Sequence, residues 1–403
     1  MNALILAGLL MTAQAAPEPQ PVDSPDITIT GQRLAETDAA LRACIARHCS
    51  TDKDIEATLA HAENLLAEGR YEDARTVLIA SLDRNKKMDK AYPVPVSDLW
   101  RANGKVAAHL GMDTAYIAST MEIYDALKAG LPKGDERLYG ARMEIAEMLG
   151  KTRDHVAAVE AYQRIAADAR RHGRPDIAAM AELRAVVRHY APALREKKIR
   201  PIAESTDPRL HSVMLEARLA LINIVASEGR TAEAQQMVKA LAGLDFGRPV
   251  LIYAPPFALL DQQLDSPVDI LRDATVADRP GDSKGAIHLT NAGMYSSTKQ
   301  IAPNFEDMWI DVGFWITPEG RVSDLKILKR KGEDVWTAPL LESIRGRLYT
   351  PGNGQAIDSY RMERYTYTAG RQAQTGSHLQ GRSMDARVEY LDLSTGSGLT
   401  SRD

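Results

Sequence analysis

Two cysteines and nine histidines are the conspicuous reactive groups of this 403-residue chain, and their spacing limits the chemistry open to them. Cys44 and Cys49 stand close together in "RACIARHCSTDKD". A continuous helix would hold their Cα atoms ~8–9 Å apart, beyond the ~7 Å a disulfide spans. A disulfide, the pairing expected of two neighbouring cysteines in an exported chain, therefore requires the helix to break before Cys49. Ser50-Thr51-Asp52 can then restart it as a cap. Two free thiols, or a metal site using His48, are the alternatives, the second lacking another ligand pair. His61, His109, His155, His172 and His189 fall on predicted helices beside Arg or Ala, where a half-exposed surface position is expected. The chain has no His-Glu-x-x-His, no Gly-x-Ser-x-Gly and no Gly-rich phosphate loop. "GAIHLTNAGMYSS" (285–297), with His288, Asn291, Tyr295 and Ser296, is expected to be strand and turn. No catalytic residue, metal ligand set or cofactor is expected.

The elements that would carry any function come from composition and periodicity. With 44% hydrophobic and 26% charged residues, the chain is long enough for two or more cores. A net charge of −4 supplies no general attraction to nucleic acid or anionic membrane, so neither is an expected partner. The start, "MNALILAGLLMTAQAA", has a short apolar run followed by small-x-small residues and is expected to be a signal peptide over 1–15, followed by a flexible segment 16–34. Periplasmic localisation follows, and no later segment is expected to span a membrane stably.

Residues 35–244 are rich in Ala, Leu, Glu and Arg with helical spacing, as at Ile55, Leu59, Ala62 and Leu66. "EGRYEDARTVLIASL" from Glu68 and "EGRTAEAQQMVKALA" from Glu228 repeat a Gly-Arg turn followed by Ala74 or Ala234. Gly69, Gly111, Gly150 and Gly229 are expected at turns between antiparallel helices, with small residues where helices cross. Ala62, Gly69, Tyr71, Ala74 and Leu78 resemble the tetratricopeptide repeat, which implies an array of helical hairpins. The expected pairs are 54–85, 97–129, 135–171 and 175–191 with 208–228, then a short helix 231–242. A generic helical bundle is the alternative.

Past Ala242 the composition turns to strands, and 245–371 is expected to be an α+β domain. Three of the 4 Trp and two of the 4 Phe fall between Phe305 and Trp336. Ile310, Val312, Phe314 and Ile316 alternate with Trp309, Asp311, Gly313 and Trp315, the pattern of a strand with one apolar side. "TPEG" (317–320) suits a tight turn into a second strand from Arg321 to Lys329. Thr337 is expected to cap a helix carrying Leu341, Ile344 and Leu348, with a further strand over 359–368. Residues 372–403 are expected to be a flexible tail, apart from a short strand at 388–391.

The order strand, turn, strand, helix, strand, with Pro318-Glu319-Gly320-Arg321-Val322 in the turn and Arg347-Leu348-Tyr349-Thr350-Pro351 after the helix, resembles the C-terminal domain of TonB energy transducers. That resemblance implies a small sheet-plus-helix domain that binds an extended peptide of an outer-membrane TonB-dependent receptor by strand addition. The candidate pairing residues are Tyr360, Arg361, Met362, Glu363, Arg364 and Tyr365. Trp309 and Trp315 are expected on the face away from the apolar side, as a contact surface for the helical array or for a partner. The expected fold is thus mainly α with a C-terminal α+β domain, and the expected function is that of a non-enzymatic periplasmic adaptor that binds a protein or peptide. A cell-envelope hydrolase and a structural envelope scaffold are the alternatives.

Overall fold

The computed structural model describes residues 34–152, 154–189, 192–241, 244, 248–255, 289–290, 308–332, 336–351, 360–373 and 380–394. The expected signal peptide 1–15, nearly all of the segment 16–34, Phe305 and all of 285–297 except 289–290 lie outside them. Helices come first: α1 (Leu34–Ala46), α2 (Thr51–Ala67), α3 (Tyr71–Asn85), α4 (Pro93–His109), α5 (Asp113–Gly130), α6 (Glu136–Lys151), α7 (His155–Arg171), α8 (Pro175–His189), α9 (Pro192–Ala203), α10 (His211–Ser227) and α11 (Thr231–Lys239). Then follow β1 (Leu251–Tyr253), β2 (Leu289–Thr290), β3 (Trp309–Ile316), β4 (Val322–Lys331), α12 (Thr337–Arg345), β5 (Leu348–Tyr349), β6 (Tyr360–Ala373) and β7 (Gln380–Asp392). The chain is therefore mainly helical with a C-terminal sheet and helix.

Cys44 and Cys49 form a disulfide with their Cα atoms 5.2 Å apart. The helix does break as that bond requires: α1 stops at Ala46, His48 takes φ 51°, and the Cys49 amide donates back to the Cys44 carbonyl at 3.1 Å.

Four helix pairs (α2/α3, α4/α5, α7/α8 and α10/α11) turn on one device. Gly69, Gly111, Gly173 and Gly229 have φ of 74°, 68°, 69° and 77°, a left-handed conformation that glycine adopts without a Cβ penalty. Each glycine amide bonds to the carbonyl of Leu66, Ala108, Arg170 or Ala226, and the following amide bonds to Leu65, Ala107, Ala169 or Val225. This is the Schellman arrangement, which satisfies the last carbonyls of the first helix and aims the chain into the second. Ala62, Ala74 and Ala234 are buried where helices meet. The glycines are unevenly spaced and nowhere keep a ~34-residue period.

Several expectations are corrected. Gly150 lies inside α6, and the turn to α7 falls beyond it, at Asp154, whose carboxylate accepts the Ala157 amide at 3.0 Å. The helix α9 was not foreseen. Two prolines and a run of cations mask its pattern, and among its residues the core takes Ile199 and Ala203. Pro208–Ser227 is long and apolar enough to cross a membrane by length and composition, contrary to the expectation of no such segment. It buries Val213, Ala217, Leu221 and Ile224 in the core shared with α8 and α9, and Asn223 donates to the Ile252 carbonyl of β1 at 2.8 Å. Thr337 is the first helical residue of α12, after Trp336 at the cap position. Leu340 and Ile344 are its buried apolar residues, whereas Leu348 belongs to β5.

Among the described residues the main sheet is antiparallel, in the order β2-β7-β6-β3-β4, with β1 and β5 forming a separate ribbon. Within the stretch expected to be a flexible tail from 372, residues 380–392 form the strand β7, paired along β6 and longer than the strand expected at 388–391, while 374–379 and 395–403 lie outside the described residues. One sheet face is the expected apolar one: Val312, Phe314 and Ile316 pack with Trp336, Leu340 and Ile344, and Trp336 stacks on Tyr367 at 5.6 Å. The other face lies against the helical array, where Trp309 and Leu391 share one core with Leu65, Leu66, Tyr71 and Val106.

Gly69 is a point of close approach between array and sheet. A Cβ there would lie 2.6 Å from the Trp309 indole, whereas at Gly229 it would meet nothing within 4 Å. Gly69→Ala should therefore cost about 2–4 kcal/mol, combining backbone strain with overpacking, and Gly229→Ala only about 1–2. Urea unfolding midpoints of the two variants check this; equal losses would show that the Trp309 contact is not tight.

Candidate functional site

The array-facing side of the sheet is built from alternate residues of three strands. In register stand Trp309 and Asp311 on β3, Thr366 and Arg364 on β6, and Glu389 and Leu391 on β7. Arg364 is 0% exposed. Its Nε and Nη2 donate to the two Asp311 carboxylate oxygens at 2.6 and 2.7 Å, Nη2 also donates to the Ala67 carbonyl at 2.7 Å, and Nη1 donates to the Leu66 carbonyl. Its guanidinium carbon lies 4.1 Å from the Trp309 ring centre, within cation–π range. Leu66 and Ala67 end α2, so the cation meets the last carbonyls of that helix, the Leu66 one already accepting the Gly69 amide, and the negative end of the helix dipole.

Two further polar links run beside this one. Thr366 meets the Tyr71 hydroxyl and His109 Nδ1, each at 2.8 Å, with the Tyr71 and His109 rings stacked 5.6 Å apart. Lys151 donates to Glu389 at 2.6 Å, and Arg387 joins Glu389 at 2.7 Å to Asp113 at 2.6 Å. The Arg371 amide donates to the Gly111 carbonyl, joining β6 directly to the α4–α5 turn. Burial pushes the His109 imidazole down to about 4. Burial alone would raise Glu389, but Lys151 and Arg387 outweigh it and hold the carboxyl at about 2.

Of the candidate binding residues, Trp309 meets the helical array, one of its two expected roles, while most of 360–365 is paired within the sheet. Trp309 is buried under the array, with Nε1 unpaired, and offers no free surface. Trp315 is half-buried and packs at 5.0 Å against Tyr360, also half-buried, while Met362 lies opposite Gly313. Arg361 donates to the Pro249 carbonyl. Glu363 accepts from Arg347 at 2.7 Å and from Tyr365, so the Arg347-x-Tyr349 motif is tied into a buried polar cluster. Glu363 to Tyr365 pair with β3 on one side and β7 on the other, and Met362 bonds to Leu393 and Ser394, so these offer no edge for strand addition. At one end of the sheet β2 pairs with β7 only at Ala386 and Asp385, and at the other β4 has no neighbour along its outer side among the described residues. Only its start is covered there, where Arg321 bridges to Leu348 and the Tyr349 amide donates to the Gly320 carbonyl. The lysines of "VSDLKILKRK" were the available sequence signal for an exposed edge.

The arrangement nearest to a catalytic constellation lines a cavity of about 430 Å³ between α1, α2 and α3, where Asp38, His61, Arg70 and Asp73 converge. His61 Nδ1 is 3.1 Å from the Thr37 hydroxyl and Nε2 is 3.9 Å from Asp38. The Thr37 hydroxyl is buried, donates to the Leu34 carbonyl and accepts from Asn64, so it is committed to the fold rather than poised as a nucleophile. His61 and His109, expected on half-exposed surfaces, are both buried. No group of three or more His, Cys, Asp or Glu among the described residues is placed to hold a metal ion. No family model, curated protein or solved structure matches the chain.

Removing either partner of the Arg364–Asp311 pair leaves the other charged and buried. Arg364→Met should cost about 3–5 kcal/mol, and the double variant with Asp311→Leu should lose less than the sum of the two single losses. Urea titrations of the three proteins check this, and strict additivity would sink it. The unfolded chain protonates His109 near 6.5 and the folded one near 4, so the unfolded state holds the extra proton between those values. Stability should accordingly fall as pH drops from 6.5 towards 4, by an amount on the order of 3 kcal/mol. His109→Asn should flatten that slope in denaturation curves taken between these pH values.

Proposed function

We propose that the protein is a non-enzymatic periplasmic adaptor in which a tetratricopeptide-like helical array carries a TonB C-terminal-like sheet that takes an extended segment of a protein partner. Outer-membrane TonB-dependent receptors are the first partners to test. Support for the array comes from the shared left-handed glycine turns and the alanines where helices cross. Support for the sheet domain comes from the order β3, turn, β4, α12, β6 and from Arg347-x-Tyr349 following the helix. The signal-like N-terminus argues for export, and the Cys44–Cys49 disulfide fits an oxidising compartment. The single observation that carries the binding role is the outer edge of β4 from Ser323 to Lys331, exposed for most of its length with no described strand beside it. Backbone groups on such an edge accept an added strand with little demand on its sequence.

A structural envelope scaffold is the second reading, favoured by the buried polar links that bind array to sheet. Hydrogen exchange on the full-length protein separates the two. Peptides from the N-terminal ends of TonB-dependent receptors should slow exchange along β4 and leave β6, already paired on both sides, unchanged. Failure of every such peptide, and of the solubilised receptors themselves, to bind would end the adaptor reading and leave the scaffold.

A further inference from the structure

We infer that the segment taken by β4 is acidic, with carboxylates on alternate positions of an extended strand; this rests on the reading of β4 as a strand-adding edge. Register places Lys326 opposite Gly313, Lys329 opposite Asp311 and Lys331 opposite Trp309. The three lysines therefore share the array-side face of β4, while Arg330, opposite Ile310, lies on the other face. All four are exposed, and they gather on one strand of a chain whose net charge is −4. The array places Glu68 at 3.5 Å from Lys329, so this row of ammonium groups already meets one carboxylate.

The same face continues past the array onto apolar surface. Leu328 is 44% exposed and lies close enough to Gly313 that a Cβ there would stand 2.9 Å from it, with the half-buried Trp315 and Tyr360 beside it. An added strand would thus meet lysines over residues 326–331, with exposed Leu328 between Lys326 and Lys329 and the Trp315–Tyr360 pair towards the start of β4. Lysines on an exposed edge, together with irregularities such as the register shifts here and the φ of 49° at Asp324, discourage two like edges from pairing. Two copies of β4 would set lysine rows against each other. An acidic strand turns that repulsion into attraction, so one feature both rejects self-pairing and selects the partner.

The test uses the full-length protein and a labelled peptide of ~8 residues, a usual strand length, alternating Glu with Val, beside its Gln-for-Glu counterpart. The Glu peptide should bind at least ~10-fold more tightly at low salt, lose that advantage as salt rises, and protect β4 amides from exchange. Lys326→Glu, Lys329→Glu and Lys331→Glu together should reverse the preference towards a Lys-Val peptide. All three are surface positions, and the Lys329–Glu68 ion pair adds little stability. If that triple variant fails to fold, the Lys→Gln triple serves instead and should bring the Glu and Gln peptides to equal affinity. Equal binding of Glu and Gln peptides to the wild type, with β4 protected, would overturn the charge selection while strand addition stands. Glu-peptide binding without β4 protection would overturn the inference as well. So would phosphatidylglycerol vesicles that compete with the peptide and lose binding in the triple variant, since the occupant would then be a lipid surface. Absence of β4 protection by these peptides and by receptor peptides alike would remove the strand-adding reading itself.

Discussion

A guanidinium shut away from water is tolerable only where its charge is matched and its donors are accepted, and Arg364 finds both by joining two parts of the fold. Asp311 supplies the carboxylate from the neighbouring strand, and Leu66 and Ala67 supply carbonyls from the end of α2. Neither set would suffice alone. The helix end provides no full counter-charge, and the carboxylate has too few lone pairs in the right places to take every donor. The sheet is thereby held where α2 stops, and α2 stops there because Gly69 turns the chain at once and leaves room for the Trp309 indole. Tyr71, His109 and Lys151 then meet strand residues that this docking has already brought alongside.

This docking governs what surface remains for a partner. A small sheet domain standing alone would offer two faces and two edges. Here one face is filled by α12 and the other is largely covered by the array, while β7 runs along the side of β6 that a three-strand sheet would leave open. Among the described residues, the open edge positions are those of β4, beside the short apolar surface at Leu328, Trp315 and Tyr360, and those of β7 that β2 leaves unpaired.

Local features were legible in the sequence in proportion to how local their causes are. The turns at Gly69, Gly111 and Gly229 follow from one residue type that tolerates a left-handed backbone, and the β3–β4 hairpin follows from alternation around "TPEG". The break before Cys49 follows from the reach of a disulfide. Helix α9 stayed hidden because its sparse apolar residues and its prolines give little periodic signal. Only 388–391 of β7 was legible, because its Gly-, Ser- and Arg-rich start looks like solvated tail and its partner is the non-adjacent sequence of β6.

From sequence alone came a mainly helical chain with a C-terminal sheet and helix, the turns at Gly69, Gly111 and Gly229, the two faces of β3 and the core roles of Phe314 and Trp336, because each depends on neighbours along the chain or on burial of a large apolar group. Only tertiary structure decided that Trp309 lies under the array, that Arg364 is a buried anchor rather than a peptide contact, and that β4 rather than β6 is an open edge. The reason is that alternation separates the two sides of a strand without saying what covers either. The cover comes from an array some 300 residues away in sequence, as in the Arg364 bond to Leu66 across a separation of 298.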